Sequence, residues 1–190
     1  MLTGAILAGG KSQRFGRNKA LEVFRGKRFI DHGLESLRAS CDPVLVVAND
    51  LACYYDVRAT LVRDVVPHQG PLGGIYTALL FSPHDWLFVK ATDMPFLVAD
   101  LLNLMLQLRT GVDAVVPQYE NQYYEPLLAL YHRRCLPVIA RFLEGTQRKT
   151  SAFYRDISVR LVAEKEWRAV DPQGVSFCNI NTMEDRKQLK

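Results

Sequence analysis

The segment Ala5-Ile-Leu-Ala-Gly-Gly-Lys-Ser-Gln-Arg-Phe-Gly-Arg-Asn-Lys19 is an apolar run that breaks into a glycine-rich, basic loop. Gly9 and Gly10 allow close backbone approach, so successive amides can cradle phosphate oxygens while Arg14 and Lys19 add positive charge. Two common phosphate motifs do not fit. A P-loop ending in Gly10-Lys11-Ser12 needs a glycine where the chain has Ala5, and the dinucleotide fingerprint needs a residue between two glycines that are adjacent here. A glycine pair by itself would serve equally as a structural turn; Arg14, Gly16 and Lys19 tip the reading toward a ligand loop.

Asp93, in Lys90-Ala-Thr-Asp-Met-Pro-Phe96, follows an apolar run and is held by a proline two residues on. A lone carboxylate at a strand end, facing a phosphate loop, suits Mg²⁺ when the substrate phosphates complete its coordination. The alternative, a helix N-cap, would require Asp93 to sit closer to the helical pattern that starts near Val98. Asp64 followed by Gly70-Pro-Leu-Gly-Gly74 places a turn and a helix N-terminus where anionic groups are favoured. In Phe177-Cys-Asn-Ile-Asn-Thr-Met-Glu-Asp185, read as a strand end entering a last helix, Thr182 and Asp185 are spaced as a cap pair, which leaves Asn179 and Asn181 free for a polar ligand. His32, His68, His84 and His132 lack metal-pair spacing, and no Ser or Cys has a nucleophile-elbow context, so acyl-enzyme chemistry is not indicated. Met94, Met105 and Met183 read as packing residues.

These residues need a scaffold that gathers strand ends. Strands are expected at Thr3–Ala8, Val44–Ala48, Thr60–Val62, Trp86–Ala91, Ala114–Pro117 and Leu127–Tyr131, mostly too uniformly apolar to have a wet face. Helical spacing is expected at Asp31–Ser40, Gly74–Phe81, Val98–Arg109 and Cys135–Leu143, and turns at Gly111–Val112 and Pro172–Gly174. Alternation of the two predicts an α/β fold, a single three-layer domain over residues 1–190 with a mainly parallel, Rossmann-like sheet, whose ligands sit beyond the strands' carboxyl ends. The length of 190 residues suits one core, and the net charge of +4 is spread without a basic track, which favours small anionic ligands over nucleic acid. No apolar stretch reaches the roughly 18 residues of a membrane span, and nothing reads as a signal peptide, so a cytoplasmic protein is expected. Cys41, Cys53, Cys135 and Cys178 form no close pair and read as reduced thiols.

Taken together, Leu7-Ala-Gly-Gly-Lys-Ser-Gln-Arg-Phe-Gly…Lys19, Asp64, Gly70-Pro-Leu-Gly-Gly74, Thr92-Asp-Met-Pro95, Glu125-Pro126 and Asn179-Ile-Asn-Thr182 resemble, in order and spacing, the molybdenum cofactor guanylyltransferases of the MobA type, within the glycosyltransferase-A-like nucleotidyltransferases. The resemblance runs from about residue 3 to 190. It implies Mg²⁺-dependent transfer of GMP from GTP to the terminal phosphate of molybdopterin (Mo-molybdopterin), with release of pyrophosphate. It further implies a nucleotide-binding N-terminal part with Leu7, Ala8, Gly9 and Gly10 at the guanine nucleotide, Arg14 and Lys19 at its phosphates, Asp64 at the nucleoside end and Asp93 on the metal. The C-terminal part would bind the acceptor, with Asn179 and Asn181 near the pterin, and molybdoenzymes or cofactor chaperones would be transient partners. Many relatives carry Asn where this chain has Val47; Asn49, the next residue on the same side of that strand, is the candidate to replace it. A molybdopterin cytidylyltransferase, a sugar-type nucleotidyltransferase and a non-catalytic nucleotide-binding module remain open alternatives on the residues alone.

Overall fold

The structure, a computed structural model, describes residues 1–9, 18–145 and 149–180; Gly10, Arg14 and Asn181 of the predicted site lie outside them. Five runs supply one half of the sheet and its cover: β1 (Thr3–Leu7), the two-residue hairpin strands β2 (Val23–Phe24) and β3 (Lys27–Arg28), α1 (Phe29–Arg38) and β4 (Val44–Ala48). They are followed by β5 (Thr60–Arg63), α2 (Pro71–Phe81), β6 (Trp86–Ala91), α3 (Ala99–Gln107), β7 (Ala114–Pro117), β8 (Leu128–His132), α4 (Leu136–Glu144), β9 (Val159–Val162) and α5 (Glu164–Arg168).

The main sheet has seven strands in the order β5-β4-β1-β6-β8-β7-β9. β8 runs antiparallel to both β6 and β7, and the remaining pairs are parallel. The sheet is therefore mainly parallel, as expected. Its strands are apolar on both faces because both are covered. Ala5, Leu45, Val47, Leu87 and Val89 point toward α2 and α4, where they meet Leu72, Ile75, Ile139 and Phe142. The alternate residues Ile6, Val46 and Phe88 pack with Leu34 and Leu37 of α1 and with Leu101 and Met105 of α3. Two cores, one on each side of a sheet, fix every strand register, since a slip of one residue would exchange the faces.

The order of strands decides where a ligand can sit. After β1 the chain builds β4 and β5 outward on one side, then places β6 on the other, so the connections diverge between β1 and β6 and leave a crevice at their carboxyl ends. Ala8 and Gly9, at the end of β1, and the turn after β6 both lie at that crevice.

Candidate functional site

Leu7, Ala8 and Gly9 leave β1 at this crevice. Ala8 continues the ladder by donating its N–H to the Val47 carbonyl at 2.9 Å. The Thr92 hydroxyl donates to the Leu7 carbonyl at 2.8 Å and so ties the end of β1 to the end of β6. The buried Tyr54 hydroxyl donates to the Ala8 carbonyl at 3.2 Å and accepts from the Asn18 amide at 2.9 Å. Asn18 in turn caps a 3-10 turn over Lys19–Leu21 by accepting the Ala20 N–H at 3.1 Å. Both ends of the glycine-rich loop are thus anchored to one phenol, and the second anchor immediately precedes Lys19.

Lys19 reaches the turn after β6, where its Nζ lies 3.4 Å from Asp93 Oδ2. The side chains are 16% and 30% exposed, a partly shielded pair open toward the crevice. Residues 74 positions apart in sequence, predicted to act on one ligand, are brought into direct contact. The Asp93 turn is held from behind as well, because the Ile180 N–H donates to the Asp93 carbonyl at 2.9 Å. That bond seats exposed Asn179 beside the site. The approach to it differs from expectation: Phe177 ends a 3-10 turn over Val175–Phe177 and not a strand. The Asp171 carboxylate accepts the Val175 and Ser176 N–H groups, both at 2.8 Å, and Gly174 adopts φ 63°, so local capping outcompetes extension.

Asp64 follows β5. Its Oδ1 accepts from the Thr77 hydroxyl at 2.7 Å and from the Val66 N–H at 3.1 Å, which fastens the turn to α2. The Gly70-Pro-Leu-Gly-Gly74 motif fits this junction closely. Pro71 occupies the first turn of α2, and a Cβ on Gly74 would lie 3.2 Å from Leu7 Cδ2. A Cβ on Gly73 would lie 2.8 Å from the Val66 carbonyl oxygen and 3.5 Å from Asp64 Oδ2. Gly73→Ala is therefore expected to lower stability by about 1–2 kcal/mol, the backbone clash exceeding the gain in helix propensity. A thermal melt checks this, with a fall of roughly 2–8 °C as the expected result.

Asn49 follows β4, and a Cβ on Gly9 would be 3.4 Å from its Nδ2, so the Asn49 amide overlies the start of the loop while Val47 is buried beneath α2. Val47 therefore packs in the core, and Asn49 supplies a polar group at the crevice rim. Half-buried Glu125, which the sequence marks only as part of a motif, belongs to the same edge. Burial pushes its carboxyl up to about 7, the Leu127 N–H bond opposes the shift, and the nearby Asp93 charge adds to it. Between the β7–β8 connection, at Asn121–Pro126, and Lys149–Ser151 lies a cleft of about 400 Å³. Because β7 runs in the direction of β6, that connection lies on the same carboxyl edge of the sheet as Asp93.

Among the described residues no three His, Cys, Asp or Glu gather around one point. The donor chemistry still fits a hard divalent cation, since Asp93 offers partly exposed carboxylate oxygen at the crevice, which suits Mg²⁺ when a ligand's phosphates complete its coordination. Gly10, Arg14 and Asn181 lie outside the described residues, whereas Leu7, Ala8, Gly9, Lys19 and Asp93 meet at the crevice, with Asp64 at the start of α2 and Asn179 at the rear of the Asp93 turn.

A glycine-rich loop at the switch between two parallel strands, paired with a Lys–Asp contact, defines a nucleotide-handling α/β enzyme. The comparisons make this specific. Residues 4–162 match the family described as MobA-like NTP transferase domain, and the chain belongs to that family of nucleotidyltransferases. It is 40% identical to the molybdenum cofactor guanylyltransferase of Desulfosudis oleivorans, with 100% of this chain and 94% of that protein covered. A probable molybdenum cofactor guanylyltransferase of Methanosarcina acetivorans is 34% identical, with 97% of this chain and 88% of that protein covered. The crystal structure of molybdopterin-guanine dinucleotide biosynthesis protein A from Archaeoglobus fulgidus is 28% identical, superposes with a TM-score of 0.83, and covers 98% of this chain and 95% of its own.

Proposed function

We propose that this nucleotidyltransferase moves GMP from GTP to the terminal phosphate of molybdopterin (Mo-molybdopterin), forming the guanine dinucleotide and releasing pyrophosphate. The observation that carries the reading is the contact of Lys19 with Asp93 across the β1–β6 crevice, in a chain 40% identical along its whole length to a named guanylyltransferase.

The acceptor is a phosphate monoester with a second pKa near 6, so at neutral pH it is already mostly a dianion and needs no general base. The protein's task is to align it with the α-phosphate and to neutralise charge that gathers on the leaving pyrophosphate. In this reading Gly9 and Gly10 offer amides to the phosphates, and Arg14 and Lys19 supply cationic charge there. Mg²⁺, held by Asp93 together with the nucleotide phosphates, would supply further neutralisation. Lys19 rests on Asp93, and a bound triphosphate gives its ammonium a further anionic partner. Leu7, Ala8 and Asp64 border the nucleoside, and guanine is selected by donors and acceptors that adenine would leave unpaired, at about 1–3 kcal/mol for each unpaired group. Asn179 and Asn181 are assigned to the acceptor, with the cleft beside Tyr123 and Tyr124 as further room for it, within a single domain over residues 1–190.

A thermal-shift panel with Mg²⁺ and each of GTP, CTP, ATP and UTP tests the nucleotide half of the proposal. A ligand at a hundredfold excess over Kd adds about 2.7 kcal/mol, or roughly 5–10 °C for a domain of this size. A shift selective for GTP is expected. Selectivity for CTP would move the assignment to a cytidylyltransferase, and no shift with any nucleotide would return the loop to a structural turn.

A further inference from the structure

β6 is apolar and fully buried at Leu87, Phe88 and Val89, and the next residue is a lysine with 0% exposure. Nothing in the proposed chemistry uses Lys90. An amine in such a place is unfavourable unless its hydrogen bonds are met, and an apolar side chain of the same length would fill the space without that penalty. Desolvation lowers its pKa to about 7, and among the described residues no neighbouring charge offsets the loss. The group is therefore retained against a stability cost.

Its hydrogen bonds show what it does. Lys90 Nζ donates to Ser36 Oγ on α1 at 2.6 Å and to the Pro95 carbonyl at 2.9 Å. The Ser36 hydroxyl spends its own proton on the Gly33 carbonyl at 2.8 Å, so it receives from Lys90. Two N–H groups satisfy both acceptors, which even a neutral amine can provide. The bond to Pro95 spans the turn from Ala91 to Met94 and clamps its far end to the strand from which it departs. Asp93 lies inside that span. Other bonds hold the near end and the middle of the turn: the Ala91 N–H donates to the Leu127 carbonyl at 2.9 Å, the Thr92 hydroxyl to the Leu7 carbonyl at 2.8 Å, the Met94 N–H to the Ala91 carbonyl at 3.3 Å and the Ile180 N–H to the Asp93 carbonyl at 2.9 Å, whereas Lys90 holds the far end, at Pro95.

We infer that Lys90 is a positioning residue for Asp93, its buried amine fixing the turn between β6 and Pro95 and bracing it against α1 through Ser36, so that the carboxylate is presented to the crevice in one orientation. The inference rests on the proposed role of Asp93 in holding Mg²⁺ with the nucleotide.

The test is Lys90→Met, which keeps length and bulk and removes both hydrogen bonds. Three quantities are read on purified full-length protein: the melting temperature without ligand, hydrogen–deuterium exchange of the peptide spanning residues 91–97, and Mg²⁺-dependent pyrophosphate release from GTP with molybdopterin. The expected result is a melting temperature equal to or above that of the parent, at least tenfold faster exchange confined to the turn, and a tenfold or greater fall in kcat with a higher Mg²⁺ concentration for half-maximal rate. Unchanged exchange with kcat within twofold overturns the inference. So does a lower melting temperature with kcat intact, because Lys90 would then serve the fold alone. If Lys90→Met yields no folded protein, Ser36→Ala removes one of the two acceptors and must accelerate turn exchange more than threefold for the inference to stand. Failure of the parent protein to release pyrophosphate would count against the proposed reaction, while exchange in the ligand-free turn reports on Lys90 separately.

Discussion

Asp93→Asn is expected to lower the rate of pyrophosphate release at least about a thousandfold, on the order of 4 kcal/mol of transition-state stabilisation, while the melting temperature stays within a few degrees of the parent. The carboxylate is 30% exposed and, among the described residues, its side-chain hydrogen bond is the 3.4 Å approach of Lys19, so its loss removes little that holds the described fold. Partly exposed ion pairs contribute about 0–1 kcal/mol. The backbone of residue 93 would still accept from Ile180, and the asparagine is nearly isosteric, so the turn keeps its shape. What disappears is the anionic oxygen proposed to hold Mg²⁺ beside the triphosphate. Steady-state pyrophosphate release measured beside a thermal melt separates the two effects. Near-normal turnover in this variant would remove Asp93 from the site.

Lys19→Met is the second large effect, expected to reduce kcat/KM for GTP by roughly a hundredfold, with a higher KM as well as a lower kcat. Lys19 would touch phosphate in both ground and transition states, so part of its contribution is uniform binding and appears in KM. Its side chain is only 16% exposed, and removing it takes from Asp93 the ion-pair partner it has among the described residues. The two residues contact each other, so their effects are coupled. The double variant is expected to lose less than the product of the separate losses, a non-additivity typical of groups that share one ligand and one contact. Initial rates across a matrix of GTP and Mg²⁺ concentrations for the four proteins check this; strict additivity would place the two side chains in independent roles.

The strands were legible because burial on both faces writes an unbroken apolar run. Val44–Ala48, Trp86–Ala91 and Ala114–Pro117 stand where their composition predicts, β1 and β5 differ from expectation by one residue at one end, and β8 is displaced by one residue at both ends. β9 escaped because Val159-Arg-Leu-Val162, which among the described residues pairs with β7 alone, carries an arginine and so lacks the buried-strand signature. The β2–β3 hairpin, two residues per strand, is shorter than any periodicity can register. Within the site, Lys19 and Asp93 were readable because their chemistry is displayed by residue type after a strand. Thr92, Tyr54, Asn18 and Lys90 were not, because each acts on a backbone carbonyl or another side chain that only the fold brings near. Glu125 shows the same limit: a motif marked it, while its closeness to Asp93 depends on β8 pairing antiparallel with β6.

The most direct measurement is mass analysis of the product formed when the protein is incubated with Mo-molybdopterin, Mg²⁺ and an equimolar mixture of GTP and CTP. The guanylyltransferase reading requires a dinucleotide heavier than molybdopterin by one GMP unit, with one pyrophosphate released for each. A CMP adduct, or GTP binding without any dinucleotide, would contradict it.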